Sequence, residues 1–247
     1  MFEHDHLSGR FTATPAEEEA ALDEIMTWAD LITTTEVSGN LRARCLREPG
    51  FTAVFGNKGS RDDCGLAVRN SRFNLLDGGT ETLSPLTYIT ERGVRSDTTE
   101  GAYAVVEDKH EGGEVGVVVV VHMPHGMQDA LRTGKVGDDV ARAYRDILRG
   151  ARRLANRLAR KWKAGWTQIV GDWNLNIKRL WVQAYLRLQF PNYRVNFTKP
   201  YPVRGTFSVQ IIDRAMLRGI KVRKGPTINP AYEGFDHRGF SQGLAGK

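Results

Sequence analysis

The chain has 247 residues, 40% of them hydrophobic and 26% charged, with 35 Lys plus Arg against 29 Asp plus Glu and a formal charge of +6. That length suits one large domain with a real core, and the composition excludes a disordered or fibrous chain. Two cysteines, Cys45 and Cys64, form neither a disulfide framework nor a zinc-type pattern, which fits a reduced cytoplasm.

Residues 1–13 begin with a polar segment, MFEHDHLSGR, that reads as neither signal peptide nor strand. "TPAEEEAALDEIMTWA" then reads as a helix. Thr14 caps it, Pro15 suits its first turn, Glu17 completes a capping box, and Leu22, Ile25, Met26 and Ala29 recur on one face. "DLITTTEV" is rich in β-branched residues and reads as a strand ending near Glu36. "FTAVF", "CGLAVRN", "LTYITERG" and "AYAVVE" are further short strand candidates. "VGVVVVVH" reads as a strand buried on both faces and ends at His122; it is too short to span a bilayer.

A long helix follows from about Asp138 to Trp162. Tyr144, Ile147, Leu148, Ala151, Leu154, Leu158 and Trp162 form its apolar stripe, and seven arginines between Arg142 and Arg160 cover much of the remainder. "WTQIVGDWN" is a second buried strand, and "IKRLWVQAYLRLQF" is helical up to Pro191. "YRVNFT", "GTFSVQ" and "IIDRAMLRG" read as late strands; "EGFDHRGF" and a Gly-rich tail close the chain. The mixture argues one α/β or α+β domain.

Several strand ends deliver chemically useful groups. In "IVGDWNLN", apolar residues and glycine lead into Asp172, with Asn174 two positions on. Side chains two apart in an extended backbone share a face, so a strand aims this carboxylate and carboxamide at one place. Gly, Asp and Asn are also turn formers, and a plain turn stands beside that reading. Asp213 lies among apolar residues in "QIIDRAML", where a carboxylate needs a partner, because burying it alone is expensive.

Taken in order, "DLITTTEV", "VVVVHMPHG", "IVGDWNLN", "IIDRAML" and "FDHRGF" resemble the endonuclease/exonuclease/phosphatase superfamily, the deoxyribonuclease I-like proteins. The resemblance implies a four-layer α/β/β/α sandwich of two packed, mostly antiparallel sheets, with residues 1–247 as a single domain. It implies that Glu36 and Asp236 hold a divalent cation, Mg2+ or Mn2+. Asp172 matches the residue that orients or deprotonates the attacking water, and Asn174 the one that hydrogen-bonds the scissile phosphate. His237 with Asp213 resembles the family's His–Asp pair. His122 matches a second phosphate-facing histidine, for which Glu91 is the candidate acidic partner.

Some features depart from the family. The family opens with a strand carrying an Asn of the metal site, and residues 1–13 show neither feature. The expected sandwich therefore lacks that first strand, or His4, Asp5 and His6 supply substitute ligands. Phe235 stands where the family has Ser. His125 stands where many relatives have Asn, as a further phosphate contact or as a plain loop residue.

The positive excess favours anionic partners. Lys178, Arg179, Arg238 and His125 are the expected substrate-binding residues; Arg214 and Arg218 are further cations near the late motifs, and Arg69 and Arg72 flank "NS". The arginine-rich helix reads as a solvated outer face. The resulting expectation is a metal-dependent phosphodiesterase acting on nucleic acid, DNA ahead of RNA, as a cytoplasmic monomer away from membranes. Two alternatives stand beside it. One is a phosphomonoesterase or small-molecule phosphodiesterase, the other a catalytically impaired nucleic-acid-binding relative.

Overall fold

The computed structural model describes residues 1–8, 14–36, 39–56, 64–89, 99–124, 127, 138–197, 210, 212–228 and 240–246. One six-stranded sheet runs β11 (Ile220–Ile228), β12 (Phe240–Gly246), β1 (Phe2–Ser8), β2 (Leu31–Thr35), β4 (Gly65–Arg69), β3 (Phe51–Phe55). The other runs β5 (Phe73–Ser84), β6 (Thr99–Asp108), β7 (Glu114–His122), β8 (Trp166–Asp172), β10 (Asp213–Arg218), β9 (Arg194–Val195). Among the described residues, only β1–β2 and β7–β8 pair in parallel. Helices α1 (Pro15–Trp28) and α2 (Gly39–Arg47) cover the first sheet, and α3 (Asp138–Lys161) with α4 (Leu180–Gln189) covers the second.

The layers follow from strand alternation. In β7, Val118 and Val120 turn toward the other sheet and pack with Phe2, Leu31, Leu66 and Trp166. Val117, Val119 and Val121 turn the other way, against Tyr144, Ile147 and Leu154 of α3. The same switch in β2 sends Leu31 between the sheets and Ile32 to Leu22 and Ile25 of α1. The capping box of α1 forms as expected, with Thr14 Oγ1 accepting from Glu17 N and Glu17 accepting from Thr14 N.

The expectation that the first strand is missing is overturned. β1 is central, antiparallel to β12 and parallel to β2. Its sequence, FEHDHLS, hides the strand because the inward position after Phe2 is a histidine. His4 is fully buried, with Nε2 2.9 Å from Thr33 Oγ1 and Nδ1 3.0 and 2.8 Å from the Gln168 and Gln242 amide nitrogens. Partnered in this way, an imidazole occupies a place where periodicity demands an apolar residue.

Other differences have similar causes. The Gly-rich "tail" is β12, paired on both edges. β5 was hidden by Gly78–Gly79, which reads as a turn but lies inside a twelve-residue strand bulged near Asp77. In "LTYITERG", Leu86–Tyr88 form no strand and Ile89 makes an isolated bridge; Leu86 and Ile89 are exposed.

Candidate active site

Glu36, His122, Asp172 and Asp213 arrive at one rim of the sandwich. β2 stops just before Glu36, β7 stops at His122 and β8 at Asp172, while β10, running the other way, starts at Asp213. His122 is in register with Asp172, and Asp172 with Asp213, so the three lie side by side across neighbouring strands. All three take the alternation phase of Val120, Val170 and Ala215, the phase that faces the other sheet. From that sheet Glu36 reaches across. Its Oε1 lies 3.5 Å from His122 Nε2, and Asp172 Oδ2 lies 4.0 Å from the same nitrogen. Asp172 and Asp213 are fully buried, and Glu36 is partly exposed.

Backbone conformation aims these groups. Gly171 has φ +148, and a Cβ there would sit 1.8 Å from Val121 O, so only glycine lets β8 approach β7 this closely just before the carboxylate. Glu36 has φ 57 and turns out of the line of β2.

Asp172 meets the backbone of Asn174, and not by strand alternation. β8 ends at Asp172, and Asn174 sits in a turn with φ 48, a left-handed conformation that Asn tolerates. Asp172 Oδ1 accepts from Asn174 N at 2.8 Å, and Asn174 Nδ2 donates to Met123 O at 2.7 Å. The turn brings the Asn174 backbone N–H to the Asp172 carboxylate and sends the carboxamide to Met123 O.

Two positioning residues escaped the sequence reading. Trp173 is fully buried; its indole N–H donates to Arg214 O at 3.0 Å and its backbone N–H to Ile212 O at 3.0 Å. Tyr144 of α3 donates its hydroxyl to Trp173 O at 2.6 Å, and burial holds that phenol well above its ordinary pKa, in the donating form. The available signal was a tyrosine inside a fully apolar stripe, since a buried hydroxyl needs a partner.

The expected cations divide. Lys178 and Arg179 lie in the segment between the Asp172–Asn174 turn and α4; Arg179 is exposed, and burial lowers the Lys178 ammonium from its ordinary pKa. Arg214 is instead fully buried, donating to Leu175 O at 2.6 Å and lying 5.5 Å from the Trp173 ring centre. Arg218 binds Asn156 and Thr167, Arg69 binds the carbonyls of Met26 and Ala29, and Arg72 binds Asp108. These four hold the fold together away from the surface of the rim. His4 lies in register with Leu31, at the far end of β2 from Glu36, and so does not substitute as a rim ligand. Asp236, His237, Arg238, His125 and Glu91 lie outside the described residues.

The donor chemistry at the rim fits a hard divalent cation. Glu36 and Asp172 offer carboxylate oxygens around one imidazole, and hard divalent cations take oxygen ligands and keep waters in their remaining positions. Among the described residues no group of three or more His, Cys, Asp or Glu side chains is placed to hold a metal ion. No described helix is long and apolar enough to cross a membrane.

No protein-family model matches the sequence, and no curated protein matches it either. Solved structures do. An endonuclease/exonuclease/phosphatase family protein from Bacteroides thetaiotaomicron superposes with a TM-score of 0.71 at 14% identity, covering 98% of this chain and 94% of that one. A mannosyl-6-phosphatase from the same organism gives 0.67 at 15% identity, covering 99% and 100%. D. rerio TDP2, complexed with a single-strand DNA product, gives 0.60 at 13% identity, covering 99% and 98%.

Proposed function

We propose that this chain, which has the deoxyribonuclease I-like fold of the endonuclease/exonuclease/phosphatase superfamily, is a divalent-metal-dependent phosphodiesterase that hydrolyses nucleic acid, DNA ahead of RNA. The observation that carries this reading is the meeting of Glu36 and Asp172 at His122, on a rim that also receives Asp213. Gathering like charges at a buried place is unfavourable for the fold and useful for chemistry.

Asp172 orients and deprotonates the attacking water. Its Oδ1 is fixed by Asn174 N, so Oδ2, on the His122 side, is the oxygen that faces the reaction. Asn174 holds the scissile phosphate. Its amide has two donors, one directed at Met123 O, and the second addresses a phosphoryl oxygen. His122 faces the phosphate between the two carboxylates. Asp213, in register with Asp172, is the acid of the His–Asp pair that this reading assigns to Asp213 and His237. Glu36 and Asp236 would hold Mg2+ or Mn2+, which when bound would neutralise charge on the phosphoryl oxygens.

The fold likeness to a mannosyl-6-phosphatase supports a second reading, a phosphomonoesterase or small-molecule phosphodiesterase. A panel of plasmid, single-stranded DNA, RNA, a sugar phosphate and an aryl phosphodiester separates the two, with Mg2+, Mn2+ or EDTA. The proposal expects nucleic-acid cleavage that EDTA abolishes and that Asp172→Ala and His237→Ala lack. Turnover of small esters alone establishes the second reading. Nucleic-acid binding without turnover of any substrate establishes an impaired relative.

A further inference from the structure

α4 is amphipathic twice over. Val182 and Leu186 bury one face against the second sheet's outer core. On the opposite side Leu180, Ala184 and Leu188 recur at one-turn intervals, with Trp181 beside them. Leu180 and Leu188 are 72% and 78% exposed and Trp181 36%, so a ten-residue helix displays an apolar stripe to solvent. Such a stripe marks an interaction surface.

The charge around it selects the partner. From residue 173 to residue 197 the chain carries Lys178, Arg179, Arg187 and Arg194 and no Asp or Glu. Arg145 and Arg149 of α3 bear electrostatically on the Tyr185 phenol of α4, and Arg152 donates to Gln189 O at the helix end. A second copy of the same surface would bring like charges together. An anionic polymer with flat apolar faces satisfies both features, because phosphates meet the cations while bases pack on the aromatic ring. Residues 175–179 link the turn that carries Asp172 and Asn174 to the start of α4.

We propose that α4 is the platform on which single-stranded nucleic acid lies as it passes the rim, with a base on Trp181, flanked by Leu180 and Leu188, and with Lys178, Arg179 and Arg187 along the phosphates. This rests on the phosphodiesterase reading for its direction, but it predicts binding on its own.

The test is the affinity of a labelled short oligothymidylate, measured in EDTA so that turnover plays no part. Trp181→Ala should weaken binding about tenfold, and Trp181→Phe should restore most of it. Arg179→Ala and Arg187→Ala should each reduce the slope of log affinity against log salt by about 0.7. Unchanged affinity in Trp181→Ala overturns the proposal. So does tight binding to phosphatidylglycerol vesicles that Leu188→Glu abolishes while oligonucleotide binding persists, which would make α4 a membrane contact. A dimer in sedimentation that Leu188→Glu dissolves overturns it as well. Binding as expected with no turnover of any substrate sinks the phosphodiesterase reading and leaves the platform standing. Metal-dependent turnover with no effect at Trp181 does the reverse.

Discussion

At the end of the sandwich where β6 stops, buried Asp108 meets the Arg72 guanidinium at 2.6 Å and also accepts from His110 N at 2.9 Å. At the opposite end, where β2, β7 and β8 stop, the Glu36 and Asp172 carboxylates approach a single imidazole. Both ends bury acid. The first answers each charge with a guanidinium and closes a turn, as a structural ion pair does. The second gathers acids from two sheets around one weak base, an arrangement that burial disfavours and that phosphate chemistry can use. Acid at a strand end therefore carries little functional information by itself; the partner it meets carries most of it.

The sharpest way to break this comparison is to remove one charge at each end. Asp172→Asn keeps the shape and removes the anion, and should lower kcat on nucleic acid by roughly 10²–10⁴-fold. Its urea midpoint should not fall; a loss of stability in step with activity would put the rim in the same class as the far end. Arg72→Ala should do the opposite, destabilising the fold by about 3–5 kcal/mol in urea titration, because it strands a buried carboxylate. Its kcat, measured on folded protein, should match the parent.

Gly171→Ala probes the backbone beneath the rim. A Cβ cannot fit 1.8 Å from Val121 O, so β8 must shift, at roughly 1–3 kcal/mol, and Asp172 moves with it. This variant should lose stability in urea and kcat together. The smallest effect belongs to the outer face of α3. Arg157→Ala breaks an ion pair with Glu81 whose side chains are 56% and 36% exposed, and should change stability by less than about 0.5 kcal/mol.

The sequence made the layers and the site legible to different degrees. Strands buried on both faces, such as β7 and β8, were readable because β-branched runs have no other use. α3 was readable because its stripe repeats for 24 residues. β1, β5 and β12 were not. Their inward positions are filled by a partnered His, their interiors by glycine, or their partners lie far along the chain, and none of that leaves a local signature. At the rim, the ordered motifs named Glu36, His122, Asp172 and Asp213, which the fold gathers at one edge. The strand argument for Asn174 used an extended backbone, whereas a left-handed turn sets the direction of this residue. Arg214 shows the limit of reading charge along a chain. It stands next to Asp213, yet its side chain reaches back to Leu175 O and stacks near Trp173, inside the protein.

β1 and β12 are adjacent in the first sheet, residue 2 opposite residue 244. Through this pair the β11–β12 hairpin joins the remaining strands. During synthesis, then, β1 has to wait until β12, Phe240–Gly246, has emerged before its second edge can be filled. A ribosome stalled anywhere upstream of β12 would expose β1 as a bare edge, open to pairing with a neighbour, and the buried His4 would lack its contact with Gln242.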